Sequence, residues 1–446
     1  MPVAPIELAA GRLALARLVE SHALDHLCVA FSGGADSSAL LILASEWGRE
    51  HGIAVSAHHV DHGLQAQSAS WASFCVERAR ELGVPCRVTK VTDAPPRGAS
   101  IEAWARTERY TALAAHSAVG TVILTAHHRD DQAETVLQRA VDAAGPHGLA
   151  GIRAVRALGR GLLARPLLGC SRDELRAYLE RRGVSWLADP ANGDVRFVRN
   201  RLRHAVMPAL DAALPGAIDG LVRMASLQSA LARGLDAYAD ALLLPAAASS
   251  HRLPLARLDA VPVELRPYVV RRFLERAGGL PIGGRHLRAI LDTVCAARVD
   301  AAPMVRWAGH AVRRYRGSVY LTANPLPPTP TSRQAWRFGT ELALSCGRLS
   351  AVPAVDGELD ATRLAAADAI DVDFRRGGEH CRPVGRGHRH ALKKLFQEWG
   401  VPPWERARTP LLYVDGELAA VVGYCVCTGF AARAGQPACR LVWTPA

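Results

Sequence analysis

The stretch Leu27 to Leu43, LCVAFSGGADSSALLIL, constrains the fold more than any other in this chain. Leu27 to Phe31 is a short apolar run, with the length and flanks of a buried parallel strand. Ser32, Gly33 and Gly34 break it, and Asp36 and Ser37 open an apolar helix that the pattern carries to about Trp47. A strand, a glycine turn and a helix start together make an anion site. Glycines let the backbone approach a phosphate, exposed N–H groups point at it, and the helix dipole favours its charge. No lysine precedes Ser37, so this is not the GxxxxGK[ST] loop.

A chain of 446 residues is too long for one compact core, so two or three domains are expected. With 49% apolar and 22% charged residues it reads as globular, not disordered. No apolar stretch reaches membrane-spanning length, and Met1 to Glu20 has no signal-peptide core, so a cytoplasmic protein without membrane association is expected. The ten cysteines are scattered apart from Cys425-Val426-Cys427, which predicts reduced core thiols and neither a disulfide framework nor a zinc site. A net charge of +12 points to a polyanionic partner. With only three lysines, Lys90, Lys393 and Lys394, arginine supplies nearly all the base. Codon bias would explain arginine over lysine, but not the excess of base over acid.

Strands alternate with helices through the first half. Ile53 to His59 reads as a strand, Trp71 to Leu82 as a helix and Cys86 to Val91 as a strand. Ser100 caps a helix over Ile101 to His116, Thr121 to Ala126 is the next strand, and a helix starts near Asp130. This alternation predicts a parallel sheet with helices on both faces and ligands beyond the carboxyl ends of the strands. The chemistry-bearing motifs fall there: Ser32 to Ser37 after the first strand, His59-Val60-Asp61-His62-Gly63 after the second, and His127-His128-Arg129-Asp130-Asp131 after the fourth. Each has a plainer reading. His58, His59 and His62 lack a matching distant ligand set for zinc. Asp130 and Asp131 could simply complement a helix dipole, or hold Mg²⁺ on a nucleotide's phosphates. Arg106 could pair with Glu102 on the surface, or face phosphate together with Arg109.

The segment Ser-Gly-Gly-x-Asp-Ser after a strand resembles the loop of the PP-loop ATP pyrophosphatases. Taken in order, SGGADS, HVDHGL (His59 to Leu64), SIEAWARTERY (Ser100 to Tyr110), TAHHRDDQAET (Thr125 to Thr135), RPLL and the D-x-x-N…RN-x-x-R pair around Asp189 to Arg203 resemble the tRNA(Ile)-lysidine synthase family. Two departures stand out: Val141-Asp142-Ala143-Ala144 where that family has a basic turn, and Ala191 where it has serine.

Downstream, Arg153 to Arg203 carries twelve basic and five acidic residues. Ala217 to about Tyr320 reads as helical, over Leu221 to Leu243, Glu264 to Ala277 and Arg285 to Arg298, and Pro325 to Pro330 reads as a linker. Beyond Arg333 come short β-like runs around a basic stretch, Arg375 to Arg408, with nine basic and three acidic residues plus Trp399 and Trp404. Such a face suits phosphates and unstacked bases, and it too resembles the family's C-terminal domain. The expected architecture is α/β: a PP-loop ATP-binding domain over 1–215, a helical domain over 216–324, and a small basic α+β domain over 333–446.

The resemblance implies ATP and Mg²⁺ as cofactors. It also implies an isoleucine tRNA with a CAU anticodon and free L-lysine as partners, with a homodimer left open. Lysine would be joined to carbon 2 of the wobble cytidine through an adenylated base. Ser32, Gly33, Gly34, Ala35, Asp36, Ser37 and Ser38 would bind ATP, with Asp36 and Asp131 placing the metal. Asp36, Asp131, His127, Arg106 and Arg109 would be catalytic, and Arg199, Asn200, Arg203, Arg375, Arg376, Lys393 and Lys394 would bind tRNA. Two other readings stay open: a tRNA thiolase, which needs suitably placed cysteines, and a non-catalytic nucleotide-dependent RNA-binding module, which would lack the acidic partners.

Overall fold

In the computed structural model the described residues are 8–64, 67–96, 98, 100–188, 193, 196, 198–243, 251–278, 282–298, 301–354 and 358–445. The Asp189-Pro190-Ala191-Asn192 segment lies outside them. The chain divides into two compact units, Met1–Gly234 and Leu235–Ala446.

The first unit is built on six strands: β1 (His26–Ala30), β2 (Ala54–Asp61), β3 (Cys86–Lys90), β4 (Thr121–Leu124), β5 (Val155–Leu158) and β6 (Gly161–Ala164). Their order in the sheet is β3-β2-β1-β4-β6-β5. Five strands are parallel, and β5 turns back antiparallel on β6 as the edge strand. The helices are α1 (Ala9–Ser21), α2 (Ala35–His51), α3 (Ser68–Glu81), α4 (Ile101–Ala115), α5 (Arg129–Val141), the short α6 (Pro146–Leu149) and α7 (Arg172–Arg181). β1 lies between β2 and β4, so the chain's crossovers leave it in opposite directions. That switch point opens a crevice at the carboxyl ends of β1 and β4.

Helix α2 is apolar nearly all round, the pattern of a helix enclosed by other elements. Leu40, Leu41 and Leu43 are completely buried, packed with Leu27 and Val29 of β1 and Leu124 of β4. The helix start that carries Asp36 is therefore fixed to the middle of the core. After α7 come α8 (Val198–Arg201), a π-helical turn (Leu202–Val206), α9 (Met207–Ala213) and the long α10 (Ala217–Leu243).

The second unit contains two cores. The first packs Val269, Val270, Phe273 and Leu274 of a helix (Arg266–Gly278) against Val312, Val319 and Leu321 of a four-stranded antiparallel sheet. The helical pattern read over this region is thus joined by a sheet formed by Arg252–Pro254, Met304–Trp307, His310–Tyr315 and Ser318–Ala323. Arginines within the strands masked the β period there: Arg306 and the consecutive pair Arg313 and Arg314 interrupt the alternation of apolar and polar positions. The expected helix over Arg285 to Arg298 appears as Gly284–Ala289 followed by a π-helical segment, Ile290–Cys295. The second core lies beyond the proline segment. Its five-stranded sheet runs Gln334–Ala335, Ile370–Phe374, Pro410–Val414, Glu417–Val421, Cys425–Val426, and Leu392, Leu395 and Phe396 of the helix Leu392–Glu398 pack into the same core. Among the described residues no single helix is long and apolar enough to cross a membrane.

Candidate active site

The loop after β1 is shaped from behind. Gly33 has φ +83°, and a Cβ there would meet Leu187 Cδ1 at 2.7 Å and Cys75 Sγ at 3.1 Å. Only glycine suits both the backbone and the space. Its carbonyl accepts the Leu187 N–H at 2.9 Å and the Ser38 hydroxyl at 3.4 Å. Ser37 Oγ donates to the Gly34 carbonyl at 3.0 Å, accepts from the Ser32 N–H at 3.3 Å and lies 3.0 Å from Ser32 Oγ. No side chain caps α2, so its first-turn N–H groups face the crevice available to an anion.

A cavity of about 830 Å³ opens in front of this loop. Ser32, Gly34, Ala35, Asp36 and Ser37 line it, whereas Gly33 and Ser38 hold the loop's shape without lining it. Arg106, Arg109, His127, Asp131, Arg199, Asn200 and Arg203 line it as well. The catalytic residues expected from sequence therefore share one cavity with the ATP loop, joined by Arg199, Asn200 and Arg203.

Its acidic wall comes from α5. His128, fully buried, sets Nε2 3.6 Å from Asp36 Oδ2 and 3.5 Å from Asp131 Oδ2, with Nδ1 3.4 Å from Asp130 Oδ2. One imidazole thus sits among three carboxylates. Asp131 Oδ1 accepts from Arg199 at 2.8 Å and Arg203 at 2.9 Å, while its Oδ2 accepts the His128 backbone N–H at 3.2 Å. Burial alone would raise the Asp131 pKa, but His128, Arg199, His127 and Arg203 outweigh it and hold the carboxyl low. Asp36 goes the other way. Burial and the charge of Asp131 push its pKa up, against the weaker pull of His128, Arg172 and Arg203. Asp130 accepts the Arg172 N–H at 2.9 Å and so ties the start of α5 to the start of α7.

His127 is a neutral ring at ordinary pH. Burial, with Arg165, Arg199 and Arg106 nearby, holds its pKa at about 3 despite Asp131. It can share a hydrogen bond, as it does with Thr125 Oγ1 at 3.1 Å, but it carries no positive charge to a phosphate. That charge comes from Arg106 and Arg109 of α4. Arg106 lies over the Tyr110 ring at 5.1 Å, and Arg156 lies at 4.9 Å from the same ring. On the β2 side His62 faces Trp104 at 6.2 Å. Burial and then Arg109 bring the His62 pKa to about 4, and His58 is also brought to about 4, by burial and then His116.

Asp36 has the character of a carboxylate that would hold a hard cation: partly exposed, crowded by a second carboxylate, and stabilised by any added positive charge. Asp131 already has both oxygens engaged. Among the described residues no cluster of three or more His, Cys, Asp or Glu side chains forms a ready-made metal site. A magnesium ion on a bound triphosphate would therefore draw on Asp36 together with the phosphates.

Sequence comparison places this site in a family. A model described as the PP-loop domain matches residues 11–210, one described as the TilS substrate binding domain matches 253–320, and one described as the TilS substrate C-terminal domain matches 370–443. The chain is 35% identical to a tRNA(Ile)-lysidine synthase of Coxiella burnetii, over 92% of this chain and 91% of that one. It is 40% identical to one of Alkalilimnicola ehrlichii, over 92% of each. The chain belongs to the tRNA(Ile)-lysidine synthase family. It is accordingly an enzyme, a ligase with a PP-loop domain.

Within this lysidine synthase family member, Glu134 is the site residue that the sequence reading left without a role. It is 3% exposed, one helical turn after Asp131, and accepts from Arg172, Arg199 and Arg203. Its signal was the i,i+3 spacing to Asp131 on a helix that also begins with Asp130. Arg199 and Arg203, read from sequence as tRNA ligands, spend their guanidinium groups on these two acids. The C-terminal candidates divide in the same way. Arg376 pairs with Asp373 at 2.9 Å and Arg375 with Glu379 at 3.7 Å, whereas Lys393 and Lys394 stand exposed on their helix.

Proposed function

We propose that the chain joins free L-lysine to carbon 2 of the wobble cytidine in an isoleucine tRNA with a CAU anticodon, consuming ATP through an adenylated base. The observation that carries this reading is one cavity lined by an uncapped helix start, a carboxylate of raised pKa and six arginines. ATP enters as substrate, with its phosphates against the N–H groups of Ala35 to Ser37 and near Arg106 and Arg109. The cytidine O2 attacks the α-phosphorus and pyrophosphate leaves. Fixed positive groups there stabilise the charge developing on the leaving phosphates, without reorganisation. The lysine ε-amine then attacks carbon 2, AMP departs with the former O2, and the amine gives up a proton.

Magnesium, held by Asp36 with the phosphates, would supply charge neutralisation. Asp131 and Glu134 keep Arg199 and Arg203 in place at the cavity wall. Arg375, Arg376, Lys393 and Lys394 contribute to tRNA binding, with the two exposed lysines best suited to reach phosphates. A cytoplasmic location belongs to the same reading. A thiolase is disfavoured, since no described residue lining the cavity is a cysteine.

The test uses purified protein, ATP, Mg²⁺, the CAU-bearing isoleucine tRNA and radiolabelled lysine. Label should reach the wobble cytidine and survive mild alkali, because the link is a carbon–nitrogen bond and not an aminoacyl ester. Replacing that cytidine by uridine should stop labelling, since uracil lacks the exocyclic amine that shares the charge developing on amine attack. Alkali-labile label, or equal label on the uridine variant, would refute the reading.

A further inference from the structure

Three cysteines far apart in sequence meet in the C-terminal core. Cys381 Sγ lies 2.8 Å from Cys427 Sγ and 3.6 Å from Cys425 Sγ. Two backbone features impose the meeting. Pro383 and Cys427 form an antiparallel bridge, flanked by Val384 N–H to Val426 O at 3.1 Å and Thr428 N–H to Arg382 O at 2.7 Å. The chain carrying Cys381 therefore runs as a neighbour of the Cys425–Val426 strand, about 5 Å away as in any sheet. Cys381 and Cys427 then stand as diagonal neighbours on one face, with their sulfurs 2.8 Å apart.

Both sulfurs of this pair are buried, at 1% and 4% exposure, while Cys425 is half-buried and opens the cluster toward solvent. Hydrogen bonds from Cys381 and Cys425, with the charge of Arg389 beyond them, draw the Cys427 thiol well below its ordinary range. This gives the cluster one nucleophilic sulfur and one adjacent thiol to resolve it, the pairing found at oxidation-sensitive sites.

We propose that Cys381 and Cys427 are a reversible oxidation site, closed to a disulfide by a peroxide or a small-molecule disulfide. With hydrogen peroxide, Cys427 sulfur attacks one oxygen and the O–O bond breaks, giving a sulfenic acid and one water. Cys381 sulfur then displaces the second oxygen as water, with the two thiol protons accounted for in the two waters formed. Both thiols are oxidised and the peroxide is reduced by two electrons. The bond would fasten the ribbon His380–Ala391, and with it the basic loop Arg382 to Arg389, to the edge of the five-stranded sheet. This inference rests on the second unit alone and is independent of the proposed ligase chemistry.

The full-length chain, purified reduced, is exposed to hydrogen peroxide or oxidised glutathione, alkylated and digested without reductant. The expected result is loss of two of the ten alkylatable thiols, recovery of a Cys381–Cys427 linked peptide pair by mass spectrometry, and return of both thiols with dithiothreitol. Cys381→Ser should abolish the linked pair, and Cys425→Ser should retain it, with thermal melting showing that both variants are folded. Ten alkylatable thiols after oxidation, or a dominant link that excludes Cys381, would overturn the proposal.

Discussion

Arg203 meets Glu134 side-on, with Nε donating to Oε1 at 2.9 Å and Nη2 to Oε2 at 3.2 Å. Two parallel bonds of this kind fix a guanidinium in plane as well as in place. Because Nη2 also reaches Asp131 Oδ1 at 2.9 Å, one arginine joins two of the three acids of α5, and Glu134 is the hub of the cluster.

Replacing Glu134 should therefore be costly. Glu134→Gln leaves Arg172, Arg199 and Arg203 short of a buried counter-charge, and the loss of charged hydrogen bonds should cost about 2–3 kcal/mol. A thermal shift assay should show a lower melting temperature, and tRNA-dependent pyrophosphate release should fall in parallel. A variant with unchanged melting and unchanged turnover would show that the arginines hold their positions without it.

The loop makes a steric prediction. Gly33→Ala places a methyl group against Leu187 and Cys75 at a backbone conformation that alanine adopts only at a cost of about 1–2 kcal/mol. Pyrophosphate release should drop sharply while far-ultraviolet circular dichroism stays native. Full activity would mean that the loop relaxes freely, and that its shape does not set phosphate binding.

The histidine beside the acids couples stability to pH. His127 has a folded pKa of about 3 against an ordinary 6.5, so the unfolded chain binds the extra proton in the window between them. Its contribution is complete above 6.5 and is lost as pH falls, by about 2 kcal/mol between pH 7 and pH 5. Urea unfolding midpoints across that range should fall less steeply for His127→Asn than for the native chain. Equal slopes would place the proton uptake elsewhere.

The two exposed lysines separate phosphate contact from structure. Lys393→Ala with Lys394→Ala should leave melting unchanged and lower the slope of log affinity against log salt for tRNA by roughly 0.7–0.9 per lost contact. Arg376→Ala, which breaks the Asp373 pair, should move melting as well. If the lysine pair changes neither affinity nor slope, the helix face they occupy lies off the RNA.

How much of this could be read in the sequence depended on whether a signal was local. Leu27 to Leu43 announced its strand, turn and buried helix, because apolar run length and glycine position are properties of neighbours along the chain. The four-stranded sheet around His310 to Ala323 did not announce itself, since arginines such as Arg313 and Arg314 lie on the strand and break the alternation of polarity. Arg199 and Arg203 read as RNA ligands because a run of base beside tRNA-related motifs has that reading by default. Their ion-pair partners Asp131 and Glu134 are some 65 to 72 residues away in sequence, so these pairings could not be read from the chain. The Cys381–Cys427 approach was hidden for the same reason: spacing along the chain carries no trace of an antiparallel bridge at Pro383.

The π-helical turn from Leu202 to Val206 has a consequence for how this region can vary. A π turn holds one residue more than the α turn it replaces, so every side chain after it is rotated by about 100° around the axis relative to an uninterrupted helix. The turn works as a phase shifter. Upstream of it Arg199, and at its start Arg203, keep their angular setting toward Asp131; downstream, Met207 keeps its own buried direction. The two settings are independent. Deleting a single residue within the turn would let the helix close up and force one of these faces to swing a quarter-turn out of place, while substitutions that keep its length leave both undisturbed.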